Sequence, residues 1–200
     1  EAFLSGEDFH THTAAQVFGV PAEQVTPQMR RSAKAVNFGI VYGISDFSLA
    51  GDIGVTRKEA RAYIDGYLSH YQGVRDYMKN VVAEARETGY VESMYGRRRA
   101  LPELRSSNFN VRTGAERMAL NTPIQGTAAD IIKIAMLRVS DRLRAEGLEA
   151  RLILQVHDEL IVECPEEEQD AVLKLVTEEM EAAADLSVPL VAEAHAGRTW

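Results

Sequence analysis

One cysteine in 200 residues rules out an internal disulfide, so no covalent staple contributes to this fold. Cys164 suits a reducing compartment, and a cytoplasmic protein is expected. Prolines number six and tryptophan one. No apolar run approaches the ~20 residues that would cross a bilayer, and no signal pattern opens the chain, so no membrane partner is expected. Repeats and low-complexity tracts are absent. Positive charge is short overall, with 22 Lys/Arg against 30 Asp/Glu and a net charge of −8. Taken alone that argues against nucleic acid, but its distribution reverses the impression. Residues 27–117 hold 15 Lys/Arg against 10 Asp/Glu, whereas residues 118–200 hold 7 against 16. A basic middle can grip phosphates locally, because affinity follows the local field. What remains is ordinary: 46% hydrophobic and 26% charged residues suit one large domain or two small lobes. An initiating methionine is also missing. With its abrupt opening at Glu1-Ala2-Phe3-Leu4 and its stop at Trp200, the chain is expected to be a piece of a longer protein.

Periodicity and punctuation predict mostly helices in the first half. A short helix is expected over Thr11–Phe18. Thr26 should cap a long helix that starts on Pro27 and ends at Tyr42-Gly43. Ser45–Ser48 begins a short connection. Thr56 with Glu59 three residues later has the form of a capping box, opening a helix to about Tyr71. Another helix fits Val74–Thr88, closed by Gly89, and Tyr90–Tyr95 alternates weakly like a strand. Helical pattern resumes at Asn110, with a kink or break expected near Asn121–Thr122 because of Pro123. Ala128–Ala145 has the clearest core face: Ile131, Ile132, Ala135, Met136, Val139 and Leu143. Leu152–Val156 and Leu160–Cys164 read as a hairpin around His157-Asp158-Glu159. Glu166-Glu167-Glu168 open a helix to about Ala184, and Val188–His195 reads as a last strand. The outline is α+β with an antiparallel sheet.

The most informative stretch runs from Arg30 to Gly43. At about 100° per residue, Arg30, Lys34, Phe38 and Tyr42 share one stripe of a helix. Met29, Ala33, Val36 and Ile40 fall roughly opposite, on the face that can bury. Two cations followed by two rings suit a polyphosphate at one end and a stacked base at the other. The same pattern also fits a solvated cationic face whose rings cover a loop. His157-Asp158-Glu159 sets two carboxylates at a hairpin tip, where a hard cation such as Mg²⁺ could bind, although acidic turns are common. Arg117, Asn121 and Gln125 repeat at i, i+4, i+8, and one Arg with two amides suits the acceptors of a minor groove. Arg97, Arg98, Arg99, Arg105 and Arg112 are candidates for phosphate contacts.

Arg-x-x-x-Lys-x-x-x-Phe-x-x-x-Tyr-Gly from Arg30 to Gly43 resembles the nucleotide-binding helix of family A DNA polymerases. Gln155-Val156-His157-Asp158-Glu159-Leu160 resembles that family's metal-binding turn. His10, Arg117, Asn121 and Gln125 also sit where the family pattern has them, and the resemblance covers essentially the whole chain. It implies a helical fingers-like part over residues 1–92 and the C-terminal half of a palm-like part over 93–200, an antiparallel sheet with packed helices. It implies nucleotidyl transfer from dNTPs to a primer 3′-hydroxyl on primer–template DNA, in replication and repair, nucleoid-associated in a bacterium.

Its implied roles are specific. His10, Arg30 and Lys34 contact the triphosphate, and Lys34 also takes part in catalysis. Phe38 packs on the sugar and Tyr42 near the templating base. A Phe at position 38 implies discrimination against dideoxynucleotides. Arg117, Asn121 and Gln125 bind DNA, and His157 contacts the primer end or only shapes the turn. Asp158, with weaker support from Glu159, holds two Mg²⁺ ions and is catalytic. The family's second metal-binding aspartate lies upstream of Glu1, so the 200 residues alone are expected to be inactive and their metal site incomplete. An exposed palm sheet is expected to self-associate. The alternatives are a non-catalytic nucleic-acid-binding module and, more remotely, an HD-type metal phosphohydrolase suggested by His157-Asp158.

Overall fold

The computed structural model describes Leu4 and residues 8–199, an α+β chain. Its contacts form two compact units, Glu1–Gln125 and Gly126–Trp200. The functional boundary expected at 92/93 falls inside a hairpin of the first unit.

In the first unit, α1 (Phe9–Phe18) is capped by the Asp8 side chain and closed by left-handed Gly19. Thr26 caps α2 (Pro27–Val41), accepting from the Met29 amide, with Pro27 in the first turn where its missing N–H costs nothing. Gly43, at φ 66°, ends α2 in a Schellman motif. Its amide donates to the Ile40 carbonyl and that of Ile44 to the Gly39 carbonyl. The expected connection at Ser45–Ser48 is instead the start of α3 (Asp46–Ile53), because the Ser45 hydroxyl accepts from the Ser48 amide and caps it. The capping box of Thr56 and Glu59 opens α4 (Arg57–His70). Val36, Ile40, Leu49, Ala60 and Tyr67 form the core among these helices.

Helix α5 (Gln72–Thr88) ends at left-handed Gly89 and leads into β1 (Tyr90–Glu92), which pairs antiparallel with β2 (Arg98–Ala100). Thus part of the arginine run is a strand. Helix α6 (Phe109–Ala145) contains Pro123 without interruption, so the break expected near Asn121 does not occur. A proline forfeits its own N–H bond and crowds the carbonyl four residues back, a cost near 3 kcal/mol. Ala119 and Leu120 just before it are buried, and keeping them there favours an unbroken helix against that cost.

In the second unit, β3 (Arg151–Val156) and β4 (Glu159–Glu163) form a hairpin with a bulge between Leu152 and Leu154. Helix α7 (Gln169–Glu181) follows a short 3₁₀ turn at Glu166–Glu168. Val172, Leu175 and Val176 pack with Val139, Leu143 and Ala150. Of the core face expected on Ala128–Ala145, Ala135, Val139 and Leu143 are buried. The strand expected at Val188–His195 does not form: among the described residues no strand follows α7. Pro189 supplies no ladder donor, and the Ala192 amide donates to the Glu181 carboxylate instead of to a neighbouring strand.

Candidate nucleotide-binding face and acidic turn

The two stripes of α2 separate as their spacing demands. Ala33, Val36 and Ile40 are buried, while Arg30 and Lys34 are exposed and Phe38 and Tyr42 remain 52% and 47% exposed. Half-exposed rings on a helix whose other face fills a core are available to a ligand. Lys34 Nζ lies 5.9 Å from the Phe38 ring centroid, and the His10 ring lies 5.8 Å from the same ring. Cation, imidazole and aromatic ring therefore cluster along one face built from α1 and α2.

Arg30 is held rather than free. Its guanidinium donates to the Asp8 carboxylate, which also accepts from the Thr11 hydroxyl at 2.7 Å and the His10 amide at 3.1 Å. Arg30, then Thr11, hold the Asp8 carboxyl well below the usual carboxylate range, and Asp8 in turn raises the Arg30 guanidinium. Sequence reading passed over Asp8, Thr13 and Asn37. Asn37 had a signal: it is a polar residue four positions after Ala33, on the stripe that buries.

At the other end of α2 the chain is tight. A Cβ on Gly43 would meet Arg117 Cγ and Leu120 Cδ1 at 3.2 Å, so this glycine allows α6 its close approach. Arg117 and Tyr42 line one open depression of about 410 Å³, with Phe38, Ser45, Ser48 and Asp52. The Gln125 side-chain amide donates weakly to the Tyr42 hydroxyl at 3.4 Å, and among the described residues Asn121 Oδ1 is buried with no partner. Arg117, Asn121 and Gln125 thus follow one row of α6, two of them beside the end of α2.

The arginine run is engaged within the chain. Arg98 stacks over the Tyr90 ring at 4.6 Å and pairs with Glu92 at 2.5 Å. Arg105 donates to the carbonyls of Arg86 and Glu87, capping α5, and Arg112 donates to the Ser106 carbonyl. These contacts give the cluster a structural use.

The acidic turn stands in the second unit. Val156 and Glu159 are the last pair of the hairpin, so His157 and Asp158 alone make the reversal. His157 takes φ 53°, left-handed for a residue with a Cβ, and its carbonyl accepts from the Gln155 side-chain amide at 2.5 Å. His157, Asp158 and Glu159 are all exposed. Two adjacent carboxylates on a fixed turn suit part of a hard-cation shell, which for Mg²⁺ takes one or two carboxylates, waters and phosphate oxygens. Among the described residues no group of three or more His, Cys, Asp or Glu could hold a metal.

The family model described as DNA polymerase family A matches residues 1–200. The chain is 58% identical to DNA polymerase I of Geobacillus stearothermophilus and 56% to that of Bacillus subtilis, each over all of this chain and 23% of the relative. It therefore spans about a quarter of the length of these relatives. Among solved structures it resembles the POL domain of Pol1 from M. smegmatis in complex with DNA primer-template and dNTP. The TM-score is 0.89 at 49% identity, covering 94% of this chain and 33% of that one. With every residue matched and identity this high, the chain belongs to DNA polymerase family A.

Proposed function

We propose that this chain is the nucleotide-binding part and a portion of the catalytic part of a template-directed DNA polymerase, which joins a dNTP to a primer 3′-hydroxyl. The observation that carries this reading is the exposed order Arg30, Lys34, Phe38, Tyr42 on α2, opposite a buried stripe. Arg30 and Lys34 neutralise the triphosphate, with Lys34 stabilising charge as the bond to the leaving pyrophosphate breaks. His10 adds a polar contact, Phe38 packs on the sugar, and Tyr42 borders the templating base. Arg117, Asn121 and Gln125 test base-pair shape in the minor groove, and His157 meets the primer end.

Asp158, assisted by Glu159, would hold two Mg²⁺ ions in part, and these supply activation of the hydroxyl and neutralisation of phosphate charge. The turn alone is short of ligands for two ions, so a polypeptide limited to these 200 residues should be inactive. Its β3–β4 sheet exposes Ile153 and Leu154 and has unpaired edges among the described residues, so the isolated piece should self-associate, measurable by sedimentation. The functional division at 92/93 belongs to the same reading.

The test is Mg²⁺-dependent primer extension by the full-length parent with and without Asp158→Ala. Losing a metal ligand should slow incorporation by about a thousandfold or more. Incorporation that survives moves the catalytic centre elsewhere. A parent that binds primed DNA yet incorporates nothing is a binding module.

A further inference from the structure

Asn37 is a polar side chain at a core position of α2, only 6% exposed. Its amide nitrogen lies 3.1 Å from Thr13 Oγ1 and 3.0 Å from His10 Nδ1, both on α1. The Thr13 hydroxyl gives its one proton to the Phe9 carbonyl at 2.9 Å, so toward Asn37 it can only accept. The group facing it must then be the amide NH₂, and that same nitrogen faces His10. A protonated Nδ1 there would set two donors against each other. His10 Nδ1 is therefore an acceptor, and the ring's one proton sits on Nε2.

We propose that Asn37 is a positioning residue for His10: by donating into Nδ1 it keeps the imidazole neutral, leaving Nε2–H as an uncharged donor toward a polyphosphate oxygen. The inference rests on the nucleotide-binding reading of the α1–α2 face and names the form in which His10 serves it. Among the described residues Asn37 Oδ1 is buried without a partner, so the amide keeps this orientation at the expense of its own acceptor. The charges around His10 pull both ways. Asp8 on its own side, which also accepts from Arg30, favours the imidazolium. Arg30 and Lys34 from α2 oppose it. Burial above all pushes the imidazole below its ordinary value; Asp8 pulls against it, and Arg30 and then Lys34 each add a smaller push downward.

The full-length parent carries the test, as wild type, Asn37→Asp, Asn37→Ala, His10→Ala and the Asn37→Asp/His10→Ala pair. Two readouts are needed. Exchange of the histidine C2 hydrogen, followed by fragment-ion mass spectrometry that separates His10 from His12, gives the His10 titration midpoint without any turnover. Single-turnover incorporation between about pH 5.5 and 8.5 gives dNTP affinity separately from the maximal rate. Asn37→Asp offers only acceptors, so it should draw a proton to Nδ1 and raise the midpoint by about one pH unit or more. Asn37→Ala should raise it by less. In Asn37→Asp, dNTP affinity should begin to strengthen at a higher pH than in the wild type, and His10→Ala should erase that dependence. An unmoved midpoint in Asn37→Ala overturns the proposal even if Asn37→Asp fails to fold. A pH dependence that persists in the double variant also overturns it. Because the exchange midpoints need no activity, a parent that incorporates nothing fails the polymerase reading while leaving the effect of Asn37 on His10 protonation decided.

Discussion

Glu168 ties the entry of β3 to the turn before α7, and removing it should loosen the strand that leads to His157-Asp158. Its two carboxylate oxygens accept from consecutive backbone amides, Glu149 at 2.9 Å and Ala150 at 3.0 Å. Hydrogen bonds to a charged group contribute about 1.5–3 kcal/mol each when shielded. Glu149 is exposed, so water replaces much of its bond and a small fraction of that figure remains. Ala150 is 7% exposed and belongs to the core of the second unit, so its orphaned amide keeps most of the penalty. The sum for Glu168→Ala is about 2 kcal/mol. Urea unfolding of the chain should show this as a lower midpoint at unchanged slope, and the Ala150 amide should exchange faster. Glu168→Gln keeps one acceptor and turns an NH₂ toward the other amide, so it should fare little better. Glu167→Ala, which removes the same charge from the exposed neighbour, is the control. A Glu168→Ala protein within about 0.5 kcal/mol of wild type would refute the reasoning, as would an equal loss in Glu167→Ala, which would make charge rather than amide capture the cause.

Gly39→Ala should destabilise the first unit by about 1–3 kcal/mol in denaturant unfolding, because the new Cβ would lie 2.7 Å from Ile44 Cγ2 and 3.0 Å from Cδ1. Thr56→Ala removes the acceptor for the Glu59 amide and half of the capping box, and should cost about 1 kcal/mol by the same measurement. Asp8 ionises more readily folded than unfolded, so its stabilisation is present above the ordinary aspartate value of 3.8 and fades as pH falls below it. Acid titration of Asp8→Asn should therefore lack that part of the wild-type loss, and identical acid profiles would contradict it. Phe38→Tyr in the parent should raise dideoxynucleotide incorporation relative to deoxynucleotide in a competition extension assay, and an unchanged ratio would remove Phe38 from the sugar contact.

The sequence by itself determined what local forces decide. The opposition of Arg30, Lys34, Phe38 and Tyr42 to Ala33, Val36 and Ile40 follows from 3.6 residues per turn, and it appears in the structure as an exposed and a buried stripe. Thr26, Thr56, Gly43 and Gly89 mark ends because caps and left-handed turns act within three or four residues. The reversal at His157-Asp158 was legible for the same reason, flanked by two apolar runs. Reading failed wherever the deciding partner is distant or the local cost is outweighed elsewhere. Pro123 stays helical because its neighbours bury, and Val188–His195 has no ladder because none of the described strands pairs with it. Arg105 becomes a cap for α5 only when the chain between Arg86 and Arg105 folds back. The Asp8–Arg30 pair and the Thr13–Asn37–His10 relay join positions 22 to 27 residues apart. No spacing rule reaches that far. Only the packing of α1 on α2 sets those donors and acceptors face to face, and with them the protonation state of the histidine.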